Sequence, residues 1–128
     1  MKRILILAIA AIFCATVQAN GQTPVKQQQE MVADDYKIIK DEMVGGVRYV
    51  VASPSSMVCS KQIDIQIKDG IIQSVVYTRG CDGNAKGIGA LIKGMSVEEA
   101  IKRLEGITCG KRPTSCPDQL AKVLKSLN

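Results

Sequence analysis

The strongest constraint on this chain lies in its middle, where Ile63, Ile65 and Ile67 alternate with Asp64, Gln66 and Lys68. Successive side chains of a strand point to opposite faces, so this period buries one face and wets the other. Asp69-Gly70 follows. A two-residue hairpin turn needs positive φ at both central positions, which Asp and Gly tolerate. Ile71 to Thr78 is rich in β-branched residues and reads as the return strand. The spacing therefore predicts a β-hairpin that turns at Asp69-Gly70.

Downstream the period changes to that of helices. Ile88, Leu91 and Ile92 fall at helical spacing within Asn84 to Lys93, and Gly94 stands where a helix C-cap is expected. Ser96-Val97-Glu98-Glu99 has the form of a capping box, with helix continuing to about Leu104. Gly106 to Thr114 reads as a loop. A last helix begins near Pro117 and runs through Leu120, Val123, Leu124 and Leu127. Upstream, Val47 to Ala52 looks like a strand, and Ser53-Pro54-Ser55-Ser56 like a loop. Strands first and helices afterwards predict an α+β domain: an antiparallel sheet with three helices on one face.

The first segment has another character. Lys2 and Arg3 precede an apolar run from Ile4 to Val17, and Val17-Gln18-Ala19 puts small residues where a signal peptidase reads. Residues 1–19 are expected to be a signal peptide cleaved after Ala19. The apolar run is well short of the ~20 residues that span a bilayer, so no stable membrane anchoring is expected after cleavage. Cys14 leaves with the signal. Residues 20–44 read as a polar tether or extension, carrying Gly21, Pro24 and Gln27-Gln28-Gln29. Within it, Met31 to Met43 fits either a helix or the start of a strand. The folded domain is expected over 45–128, in an exported protein, periplasmic or secreted.

Charge narrows the partners. The formal net charge of +5 includes the two cations of the signal, and acidic residues interleave with the remainder. Aromatics make up 3% of the chain and Trp is absent, so a basic cluster with stacking aromatics is missing and nucleic acid is not an expected partner. An unidentified protein partner is.

Four cysteines remain after the signal: Cys59, Cys81, Cys109 and Cys116. Cys59 precedes the hairpin and Cys81 follows it, so pairing of the strands brings them toward one edge of the sheet. Cys81 and Cys116 also stand at helix starts, where unpaired amides and the positive end of the dipole favour a thiolate. Gly80, Gly83 and Gly110 allow tight bends around the sulfurs. Four thiols in one place suit a tetrahedral soft-metal site, most simply zinc. Against this, export favours disulfides, an even cysteine count fits two bridges, and there is no C-x-x-C knuckle. The run Gly80 to Gly89, with Lys86, matches neither the P-loop nor the dinucleotide fingerprint.

Thr114-Ser115-Cys116-Pro117-Asp118 spells the motif that names the TSCPD domain family, which the chain resembles. Val58-Cys59-Ser60-Lys61, Gly80-Cys81-Asp82-Gly83-Asn84, Lys93-Gly94-Met95 and Cys109-Gly110 extend the likeness from about Met57 to the C-terminus. The resemblance implies a domain found at the C-terminus of adenosylcobalamin-dependent ribonucleotide reductases and as small stand-alone proteins. Such proteins are often labelled ribonucleoside-diphosphate reductases. Neither a reductase barrel within 128 residues nor reductase activity behind an export signal is expected. A weaker similarity is to NifU/IscU-type iron–sulfur scaffold proteins, through the order Cys59, Gly80-Cys81, Lys93-Gly94 with Glu98-Glu99, and Cys116. It implies an architecture able to hold a metal. Lys61, however, stands near the place of the scaffold's aspartate, and Cys109 is an addition.

Together these readings describe an exported accessory or binding module without catalysis of its own, holding zinc or another soft metal through Cys59, Cys81, Cys109 and Cys116. The alternatives are a thiol-bearing accessory to ribonucleotide reduction and a disulfide-stapled domain.

Overall fold

A computed structural model describes residues 35–128, and the expected signal peptide and most of the tether lie outside them. Four strands come first: β1 (Tyr36–Val44), β2 (Val47–Pro54), β3 (Gln62–Lys68) and β4 (Ile71–Thr78). Three helices follow: α1 (Asp82–Ile92), α2 (Val97–Leu104) and α3 (Cys116–Ser126). The strands form an antiparallel meander in the order β1-β2-β3-β4, so this is the expected α+β fold.

The hairpin forms as its period requires. Lys68 pairs with Ile71 across the turn, and Asp69 (φ 49°) and Gly70 (φ 72°) both have positive φ. Ile63, Ile65 and Ile67 are buried together, while Gln66 and Lys68 are exposed and Asp64 is half-buried. The buried face gathers Val50 and Ala52 of β2 and Ile72 and Val75 of β4. It meets Ala100 and Leu104 of α2 and Leu120, Val123 and Leu124 of α3 in one core, which Ile92 of α1 also joins.

The segment 36–44, placed by its composition in the tether, belongs to the sheet. It pairs with β2 as the edge strand β1, with a register shift between Ile38 and Lys40. Only Tyr36 and Ile38 pack on the core, and Lys37, Lys40, Asp41 and Glu42 are exposed. A charged edge strand discourages pairing with other chains, and the same charges hide its period from the sequence. β2 also runs on to Pro54, into residues expected to be loop.

α1 begins at Asp82, earlier than its apolar spacing predicts, and reaches the sheet through a glycine. A Cβ on Gly89 would stand 2.5 Å from the Val75 carbonyl oxygen, so only glycine lets the helix approach β4 this closely. Of its apolar residues Ile92 is buried and Ile88 half-buried, while Leu91 is 79% exposed. The capping box of α2 forms by half. Ser96 Oγ accepts from the Glu99 amide at 3.2 Å, but the Glu99 carboxylate turns to Arg103 at 2.7 Å. Among the described residues no helix is long and apolar enough to cross a membrane.

Candidate thiol site

The four cysteines come from four separate segments and line one concave pocket of about 390 Å³. Hairpin pairing places the first two. The Lys61 amide donates to the Thr78 carbonyl at 2.9 Å, which brings the entry and exit of the hairpin together. Beyond it Gly80 (φ 99°) lies against Cys59 and Ser60, where an added Cβ would stand 3.4 Å from the Ser60 nitrogen. Cys81 is the N-cap of α1, and its side chain makes no capping hydrogen bond. Its sulfur therefore stands uncommitted at the positive end of that helix.

The helix bearing Cys116 is anchored by its own motif. Ser115 is the N-cap, its Oγ accepting from the Asp118 amide at 3.2 Å and donating to the Ile107 carbonyl at 2.6 Å. Asp118, although buried, accepts from Thr114 Oγ1 at 2.6 Å and from the Gly106 amide at 2.7 Å, with Lys122 3.2 Å away. Burial by itself raises the Asp118 pKa. The bonds from Thr114 and Gly106 and the cation of Lys122 outweigh it and hold the carboxyl below the usual range. Gln119 adds bonds to Thr114, to Asp35 and to the Ser55 amide. Thr114, Ser115 and Asp118 thus fix the start of α3, and Cys116 lines the pocket between Ser115 and Pro117.

Two donors reach sulfur. Ser60 Oγ donates to Cys116 Sγ at 3.2 Å, and Arg112 Nη1 donates to Cys59 Sγ at 3.1 Å. Tyr77 Oη donates to the Cys116 carbonyl at 3.3 Å. Burial pushes this phenol far above its ordinary pKa. Cys109 and Arg112 close a tight turn, the Arg112 amide donating to the Cys109 carbonyl at 3.1 Å. Arg112, Ser60 and Tyr77 were not marked out by the sequence reading. For Arg112 the available signal was a cation three positions after a cysteine in a glycine loop.

All four cysteines are free thiols, so the two bridges of the disulfide reading are not formed. Cys59, Cys81 and Cys109 are exposed and Cys116 is half-buried. Nor do the sulfurs form a closed ligand set: among the described residues no three Cys, Asp or Glu side chains are gathered as a metal would hold them. The donor set itself is that of a soft ion, four thiols with N–H and O–H donors behind two of them. Lys86, in the run that matches no phosphate-binding fingerprint, is paired with Asp82 at 2.7 Å.

The family model of the TSCPD domain matches residues 35–128. This chain belongs to the TSCPD domain family. The match takes in β1, in keeping with its place in the sheet. No curated protein and no solved structure matches the chain, and the similarity to NifU/IscU-type scaffolds has no counterpart among these findings.

Proposed function

We propose that this TSCPD domain is an exported accessory module that holds zinc or another soft metal ion through Cys59, Cys81, Cys109 and Cys116, without catalysis of its own. One observation carries the reading: thiols from four separate segments converge on one pocket. A bound ion would cross-link the loop before β3, the start of α1, the 105–115 loop and the start of α3. It would supply a structural tie rather than a reacting centre. The protein purified from its own compartment should carry one ion per chain, and each Cys→Ser variant should lose it. Folded protein with four titratable thiols and no affinity for Zn²⁺ would overturn the reading.

A second reading is favoured by the exposure of Cys59, Cys81 and Cys109. Two of the four could relay electrons, as in an accessory to ribonucleotide reduction. Forming a disulfide would pass two electrons and two protons to an oxidised partner. Equilibration with glutathione and its disulfide separates the readings. A relay pair interconverts within the range of that buffer, whereas a metal site resists oxidation while Zn²⁺ is bound.

A further inference from the structure

We propose that Arg112 is the positioning residue of the thiol pocket, the fixed cationic partner that orients Cys59 and offsets the negative charge of a thiolate-held metal ion. The proposal deepens the metal reading and rests on it.

The geometry comes from one short loop. The Cys109–Arg112 turn carries a sulfur and a guanidinium on the same bend: Cys109 lines the pocket, and Arg112, outside its lining, meets it through Cys59. From there Arg112 reaches across 53 positions of chain to donate to Cys59 Sγ at 3.1 Å. Arg48 and Arg103 spend their charge on carboxylates, on Asp41 and Glu99. Arg79 lines the pocket without a carboxylate partner among the described residues but makes no hydrogen bond to sulfur. Among the described residues Arg112 has no carboxylate partner, and the side-chain hydrogen bond it makes is to sulfur.

Four thiolates around a divalent ion leave an excess of negative charge. A cation hydrogen-bonded to one sulfur offsets part of that charge and fixes the side chain's rotamer. Arginine suits this task because its fork is planar and always charged. Ser60 does the neutral equivalent at Cys116. Cys59 and Cys116 are therefore the oriented pair of sulfurs, and Cys81 and Cys109 the two that have no such donor among the described residues.

Two measurements on Arg112→Gln and Arg112→Lys test this, in full-length protein whose thermal midpoint is checked against wild type. The first is Zn²⁺ affinity by competition with a chromophoric chelator. The glutamine variant should bind about 10–100-fold more weakly, and the lysine variant should recover part of the loss. The second, on metal-free protein, is the ratio of Cys59 alkylation by anionic iodoacetate to that by neutral iodoacetamide. Taking the ratio cancels the fraction of thiolate. It should fall several-fold in Arg112→Gln and hold in Arg112→Lys. Wild-type affinity in Arg112→Gln would overturn the role toward the metal, and an unchanged ratio would overturn the pairing with Cys59. A wild type that binds no Zn²⁺ would sink the metal reading and this role together. The alkylation ratio would then still decide whether Arg112 is the cationic partner of that sulfur.

Discussion

Thr114 and Asp118, the first and last residues of the family motif, are bonded to each other, Thr114 Oγ1 donating to Asp118 Oδ2 at 2.6 Å. The motif therefore closes on itself around the start of α3 and presents Cys116 at the pocket.

Acid stability follows from this contact. The Asp118 pKa is lower in the folded protein than in the unfolded chain. Its contribution is complete above the unfolded value of about 4 and is lost as pH falls through the lower folded value. Asp118→Asn should destabilise the domain by about 1.5–3 kcal/mol at neutral pH, the scale for a hydrogen-bonded charged group. It should also flatten the loss of stability below pH about 4. Urea unfolding across an acid pH series measures both. An unaltered acid slope would assign that sensitivity to other carboxylates.

Gly87 and Gly89 sit two positions apart in α1 and should respond oppositely to alanine. A Cβ at position 87 meets nothing within 4 Å, so Gly87→Ala should stabilise the domain by about 0.5–1 kcal/mol through helix propensity. At position 89 it would collide with the Val75 carbonyl, and Gly89→Ala should cost about 1–3 kcal/mol. Thermal midpoints of the two variants, compared directly, check the contrast. Equal effects would mean that α1 is free to move off β4.

At the hairpin turn, Gly70→Val should cost about 1 kcal/mol or more, since a β-branched residue resists positive φ. Nothing lies within 4 Å of a Cβ there, so Gly70→Asn should recover most of the loss. Denaturant midpoints of both variants provide the test.

Cys81→Ser should separate metal binding from stability. The sulfur caps nothing at the start of α1, whereas a serine hydroxyl at an N-cap accepts a hydrogen bond from the backbone. Metal-free Cys81→Ser should be equal to or up to about 1 kcal/mol more stable than wild type, yet fail to bind Zn²⁺ with wild-type affinity. Unfolding in the presence of a chelator, together with a zinc titration, reads the two effects separately. Substantial loss of stability without metal would mean that the thiol supports the fold itself.

Where an element is decided by its own residues, it was legible in the sequence. The isoleucine period and Asp69-Gly70 define the hairpin, Ser96 caps α2, and Pro117 marks the first turn of α3. β1 was only half legible: its sequence fits a helix or the start of a strand, because Lys40, Asp41 and Glu42 interrupt its alternation and the apolar Ile39, Met43 and Val44 are exposed. The reciprocal half of the α2 cap was misjudged because Arg103, one turn on, competes for the Glu99 carboxylate. The glycines of Gly80 to Gly89, which match no phosphate-binding fingerprint, include two whose reason is packing: Gly80 lies against Cys59 and Ser60, and Gly89 packs on β4.

The amino-acid order by itself determined the strand period, the turn, the helix starts and the four cysteines, because each depends on preferences that act within a few residues. Only the tertiary structure decided that the cysteines line one pocket, that Arg112 reaches Cys59, and that Gln119 ties Asp35, Ser55 and Thr114 together. Those contacts join residues far apart along the chain. They exist only once the sheet, α1 and α3 have packed on a common core and fixed where each chain segment ends.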